Sequence, residues 1–345
     1  MKRRIFSQIA ASSLLPSFFF TANAMTKKKK LIKPQRLKKG DRVGLITPGS
    51  YVDDEGLQKA VQNLEELGFR VELSKNIRAE RGFTAGTDIQ RLSDLHDMFS
   101  NDKIDGVWCA RGGYGCSRLL PYINYGLIKK NPKVLIGYSD ITALLQAIYV
   151  KTGLVGFHGP VGTSTYTDYT KEQVQKVVME PSAQHIIPLS EENLQLGKDL
   201  SVFETHTIRG GTATGELVGG NLSLLAPLVG TPFQPDIKGK LLFMEEIGEA
   251  PYRIDRMLTQ LRQGYPLKEA AGIVLGVFRG CKMKKGSRSL SLIDTLKDRL
   301  YDLNIPVFYG ASIGHIDNNC TLPIGVRATL DADTGVITLL DSAVV

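Results

Sequence analysis

Through the first half of the body of this chain, short apolar runs alternate with stripes at helical spacing. Residues 43–47 form an apolar run closed by the turn residues Pro48-Gly49-Ser50, which predicts a buried strand. Leu57, Ala60, Val61, Leu64 and Leu67 then recur at the helical period, with Gly68 placed as a C-terminal stop. Phe69, Val71 and Leu73 alternate as a strand does. Ile89, Leu92, Leu95 and Phe99 make a second helical stripe behind Thr87-Asp88, a predicted N-cap. Residues 107–110 and 134–136 predict two more strands, and Ala143, Leu144, Ala147 and Ile148 another helix. This β-α-β-α order predicts a mostly parallel sheet, with functional loops at the carboxyl ends of its strands.

The periodicity loosens between about Asp168 and Arg209, where polar residues dominate and predict a linker with a helix in it. A second region starts near Gly210, with strands at 241–244, 272–278 and 306–309. Its helices are expected at 221–228, 252–262 and 290–300, and a terminal hairpin turns at Asp333-Thr334-Gly335. The expected division is a first domain at 41–165, a linker region at 166–209 and a second domain at 210–345.

Composition removes several function classes. A chain of 345 residues that is 42% apolar and 23% charged is neither disordered nor fibrous. Four cysteines make no disulfide scaffold and no zinc ligand set, and Cys109 and Cys116 are expected as free thiols. The net charge of +8 is local: eleven of the 43 Lys and Arg lie in residues 1–40 with no acid, leaving 32 basic against 35 acidic residues over 41–345. That distribution speaks against nucleic-acid binding. The basic arm has the layout of an export signal over residues 1–24: Lys2-Arg3-Arg4, a broken apolar stretch at 5–20, then the small-residue site Ala22-Asn23-Ala24. Arg3-Arg4 also resembles a twin-arginine signal. Residues 25–40 follow as a basic tether. An exported, periplasmic protein is expected, with an uncleaved cytoplasmic extension as the alternative.

The sharpest local feature is the apolar run 134–136 followed by Gly137-Tyr138-Ser139-Asp140 and a helix. A serine on a tight strand-to-helix turn is held out above the sheet, where the helix N-terminus favours a developing oxyanion. The same residues also suit a plain helix cap. Of the five histidines, His96 lies in a helical stripe, and His185 and His206 lie in the polar connecting region. His158 and His315 remain as equal candidates for a base. Glu245 and Glu246 end an apolar strand and are candidate orienting acids. The loop Arg111-Gly112-Gly113-Tyr114-Gly115 lacks phosphate-binding spacing but offers free N–H groups.

These motifs occur in series: Arg111-Gly112-Gly113-Tyr114-Gly115, Gly137-Tyr138-Ser139-Asp140, Gly219-Gly220-Asn221-Leu222, Glu245-Glu246 with Pro251-Tyr252-Arg253, and Gly314-His315 with Thr321-Leu322-Pro323-Ile324-Gly325. In that order they resemble the LD-carboxypeptidases, serine peptidases that include murein tetrapeptide carboxypeptidases and microcin C self-immunity proteins. The resemblance implies an N-terminal flavodoxin-like parallel-sheet domain and a swivelling, β-rich C-terminal domain, correcting a plain α/β label for the second half. It implies Ser139 as nucleophile, His315 as base and Glu245 as orienting acid, with oxyanion donors at the backbone N–H of Asp140 and Gly113. His158 then becomes a cleft-lining or structural residue. The expected reaction is hydrolysis of the amide between an L-centre and a terminal D-amino acid, with no cofactor and no metal, on murein peptides, in a possible homodimer. Arg111 is a candidate clamp for the terminal carboxylate. Two alternatives are cleavage of a toxic peptidyl-nucleotide amide, for which Tyr166 or Tyr169 would stack on a base, and an exported solute-binding protein whose serine is only a cap.

Overall fold

Five short strands, β1 (Arg42–Ile46), β2 (Arg70–Leu73), β3 (Gly106–Cys109), β4 (Val134–Gly137) and β5 (Phe157–His158), run parallel in the order 2-1-3-4-5. This is the flavodoxin-like order, whose ligand crevice lies at the switch point between β1 and β3. The computed structural model describes residues 30–345. The predicted export signal at 1–24, and the tether up to residue 29, lie outside the described residues. Every residue of β3 and β4 is buried, as expected of strands covered on both faces. The helices that cover them form where the stripes and caps predict. In α1 (Asp54–Glu66), Leu57, Ala60 and Leu64 face the sheet, and α2 (Asp88–Ser100) starts from a reciprocal cap between Thr87 and Gln90. A short helix, α3 (Tyr125–Lys130), precedes β4. Helix α4 (Thr142–Thr152) follows β4 and is buried almost all round, because it also meets the second sheet.

Residues 166–209 are more than a connection. They form α5 (Asp168–Val174), β6 (His185–Ile187), α6 (Glu191–Leu196) and β7 (His206–Arg209), and the two strands are the edges of the second sheet. That eight-stranded sheet continues with β8 (Thr212–Asn221), α7 (Leu222–Leu228), β9 (Leu241–Ile247), α8 (Pro251–Gly264), β10 (Gly272–Arg279), α9 (Leu292–Leu300) and β11 (Val307–Ala311). The chain then crosses back: β12 (Leu322–Pro323) pairs antiparallel with β5 in the first sheet, before β13 (Arg327–Asp331) and β14 (Val336–Leu339) close the predicted hairpin. Strands β8 to β11 are parallel, and their flanks are antiparallel. The second half is thus a mixed, β-rich sheet.

The centre of this sheet is buried on both faces. Leu241 and Phe243 of β9 join the core shared with the first sheet, while Leu242 and Met244 point the other way, into the layer of α8 and α9. The described residues Leu31–Val345 close into one compact unit. Among the described residues, no helix is long and apolar enough to cross a membrane.

Candidate active site

Ser139 sits directly beyond β4 with φ +62°, one of two non-glycine residues with positive φ among the described residues. Such a conformation is uncommon and costs roughly 1–2 kcal/mol outside glycine. The turn is compact because a side chain on Gly137 would stand 3.0 Å from Ile141. Neither Ser139 nor Asp140 caps the following helix: α4 starts without a side-chain cap. Instead the buried Asp140 carboxylate accepts the N–H of Cys116 at 2.9 Å, tying the glycine-rich loop to the serine turn.

That loop is closely fitted. A Cβ on Gly112 would lie 2.9 Å from Ser139 Cβ, so only glycine lets the loop approach the serine. Ser50 fixes its orientation: its N–H donates to Gly112 O at 3.0 Å, and its hydroxyl donates to Phe83 O at 2.7 Å and accepts from Tyr114 N at 3.1 Å. With Gly112 O held on the Ser50 side, the trans peptide sends the Gly113 N–H to the opposite side. Among the described residues, the N–H groups of Gly113 and Asp140 donate to no protein acceptor.

Glu245 and His315 come from the second half. Glu245 is fully buried on β9, and its Oε2 lies 2.7 Å from His315 Nδ1. The approach requires Gly314, at φ +120°, because a Cβ there would fall 2.9 Å from Glu245 Oε2 and 3.2 Å from Val277 O. The His315 ring packs edge-on to Tyr138, with centroids 4.8 Å apart, which places it beside the residue preceding Ser139. Burial by itself disfavours an imidazolium, but the Glu245 carboxylate outweighs it and raises the His315 pKa above 6.5. Burial likewise pushes the Glu245 carboxyl up, yet His315 holds it below its ordinary value.

Glu246 does different work. Its carboxylate accepts Ser223 N at 2.8 Å and Ile247 N at 2.9 Å, closing the N-terminus of α7, and burial raises its pKa. The Gly219-Gly220-Asn221 segment docks this half onto the first turn of α4. Asn221 N donates to Thr142 Oγ1 at 3.0 Å, and Gln146 Nε2 donates to Gly219 O at 2.5 Å. The serine turn and the acid strand are therefore clamped a few residues from either group.

Three residues that sequence patterning passed over brace the histidine loop. Asn193 Nδ2 donates to Ser312 Oγ and Asn318 O, both at 3.0 Å, and the Ser190 N–H also reaches Ser312 Oγ, at 2.8 Å. Thr170 Oγ1 donates to Asp317 O at 2.8 Å and accepts Asn319 N at 3.0 Å, while Asn319 Oδ1 accepts Gly314 N at 3.0 Å. All three stand in the stretch expected to be a linker.

The remaining candidates lie apart from this arrangement or serve it passively. His158 is fully buried beside Phe243 and Tyr138, and burial pushes its pKa down to about 4, so it is a neutral core ring. His96 accepts Asn124 N, His185 bonds Gln173, and His206 faces Glu204. Arg111 donates to Tyr51 O at 3.1 Å. Tyr166 is buried, and Tyr169 is half-buried against the core with its hydroxyl donated to Pro188 O. All four cysteines are free and buried. Among the described residues, no group of three or more His, Cys, Asp or Glu is arranged to hold a metal ion.

Residues 43–159 match the LD-carboxypeptidase N-terminal domain, and residues 214–330 match the LD-carboxypeptidase C-terminal domain. The chain is 42% identical over 307 residues to a probable murein peptide carboxypeptidase of Bacillus subtilis, covering 87% of this chain and 91% of that protein. A crystal structure of a muramoyltetrapeptide carboxypeptidase from Oxalobacter formigenes superposes with a TM-score of 0.74 at 31% identity, covering 86% and 97% of the two chains. The structure of the self-immunity protein MccF with glutamyl sulfamoyl guanosine gives a TM-score of 0.82 at 25% identity, covering 91% and 99%.

Proposed function

The chain belongs to the LD-carboxypeptidase family, and we propose that it releases terminal D-alanine from murein tetrapeptides with Ser139 as nucleophile, His315 as general base and Glu245 as the acid that orients the histidine. The observation that carries this assignment is the fully buried Glu245 carboxylate 2.7 Å from His315 Nδ1, beside the serine turn. An acid there keeps Nδ1 protonated, leaving Nε2 as the base, and stabilises the imidazolium that forms.

In the proposed reaction, Nε2 of His315 takes the hydroxyl proton as Ser139 Oγ attacks the carbonyl between the L-centre and the terminal D-residue. The N–H groups of Gly113 and Asp140 receive the oxyanion. His315 then protonates the leaving amine, and water releases the acyl group by the same steps in reverse. Ser139 and His315 share no hydrogen bond in this structure, and catalytic hydrogen bonds of this kind often close only when substrate is seated. The test is D-alanine release from a purified murein tetrapeptide by the native chain and by Ser139→Ala. The substitution is expected to cost on the order of 10⁴-fold or more in kcat. A folded variant with native activity would remove Ser139 from the chemistry.

The composition of residues 1–24 supports export, so that the enzyme would trim stem peptides of the wall itself. Mass spectrometry of the protein from a periplasmic fraction should then find a mature N-terminus at Met25, and an intact N-terminus in the cytosol would refute export.

A further inference from the structure

A carboxypeptidase has to recognise the free carboxylate at the end of its substrate, and neither the serine nor its two partners can do so. In the reaction proposed above, the leaving amine takes its proton from His315. The carboxylate carbon of that leaving residue is two bonds away, about 2.5 Å from the nitrogen. The cation that reads it must therefore stand next to His315.

Arg279 stands there. It is the exposed last residue of β10, paired with Ile247 of β9, and its Nη1 donates to His315 O at 3.1 Å. A guanidinium carries five donors, and among the described residues that of Arg279 makes no other hydrogen bond and no ion pair, so most of its fork is open to a carboxylate. Its charge is felt by both the His315 ring and the phenol of Tyr138, the residue before Ser139. Arg111, by contrast, rests on Tyr51 O in the loop that carries Gly113, with no hydrogen bond to His315. Beyond Arg279, residues 280–291 add Lys282, Lys284, Lys285 and Arg288 with no acid among them. Such a stretch draws anionic peptides toward this edge.

We propose that Arg279 binds the terminal α-carboxylate of the leaving amino acid and so restricts the enzyme to the last bond of the peptide. This rests on the Ser139–His315–Glu245 assignment, and the test separates the two. Hydrolysis of a murein tetrapeptide is compared with that of the same peptide carrying a C-terminal amide, using the native chain, Arg279→Gln and Arg279→Lys. Gln is polar but shorter and uncharged, whereas Lys keeps the charge without the fork. The native chain should favour the free acid on the order of 10–100-fold in kcat/KM. Arg279→Gln should lose most of that preference through a raised KM for the acid, with amide hydrolysis changed less than about threefold, and Arg279→Lys should keep part of it. If Arg279 only holds the His315 loop, both substrates slow together and the preference survives, which overturns the proposal. Equal native rates on the two substrates overturn it as well, while leaving the triad standing. A native chain that cleaves neither removes the proposal together with the assignment beneath it.

Discussion

Replacing Glu245 by Gln keeps the shape of a fully buried side chain and removes one charge, 2.7 Å from His315 Nδ1. With charge centres ~4 Å apart and an effective dielectric of about 20, the attraction between carboxylate and imidazolium is about 4 kcal/mol. In the proposed mechanism the imidazolium exists only once Ser139 has given up its proton, so this loss would fall on the transition state and be worth about 10³ in rate. The amide can also donate to Nδ1 and so favour the wrong tautomer, and exchanging the carboxylate of a serine triad for its amide costs about 10⁴. Glu245→Gln is therefore expected to lower kcat/KM for D-alanine release by about 10³ to 10⁴. The pH profile gives an independent reading. In the proposed mechanism the neutral ring is the base, and Glu245 raises its pKa, so native kcat/KM should fall on the acid side with a midpoint above 6.5. Without Glu245, burial and Arg279 both press the ring toward its neutral form against the weaker pull of Glu246, so the acid limb should move to lower pH. A folded variant that keeps more than about a tenth of native activity, or whose acid limb does not move, would refute this account.

Gly314→Ala should fold but lose on the order of 10²-fold in kcat, because its Cβ would meet Glu245 Oε2 at 2.9 Å in a backbone at φ +120°. The check is kcat beside an unchanged circular dichroism spectrum, and native kcat would show that the contact is relieved elsewhere. Asn193→Ala removes a buried donor from Ser312 Oγ and Asn318 O and should cost about 1–3 kcal/mol. Thermal unfolding should show a lower Tm, with kcat falling more than KM rises. An unchanged Tm would mean the brace carries no load.

The first half was legible because its elements announce themselves locally. Thr87 and Gln90 form the cap that the polar residues before the stripe predict, and Gly68 stands at φ +93° just past α1, where a helix stop was expected. The division of labour between Glu245 and Glu246 was legible in principle too. Neighbours on a strand point to opposite faces, so one acid of the pair had to face the histidine loop and the other α7. Patterning alone gives no sign of which. Nor does it separate His158 from His315, since both lie near glycine at the end of an apolar run. Structure separates them by partner: His315 has Glu245, whereas His158 has Phe243 and Tyr138.

Residues 166–209 were misjudged for a physical reason. Apolar periodicity reveals elements that bury hydrocarbon, and this segment buries hydrogen-bonding groups: Thr170, Gln173, Ser190 and Asn193 are all inaccessible. Its strands β6 and β7 are short edges, too brief to show an alternation. Buried polar residues persist only when paired, and the partners of these lie far away in sequence; Asn193 and Asn318 are 125 residues apart. The same separation governs the whole site. Ser139 depends on Asn221 and Gly219 docking on α4, and His315 depends on Thr170 and Asn193 holding its loop. No spacing rule spans such distances, because loop length between elements is nearly free energetically. What survives in the sequence is the order of the motifs. That order singles out Ser139, Glu245 and His315 as candidates, while the contacts that hold them are visible only when the two sheets are seen together.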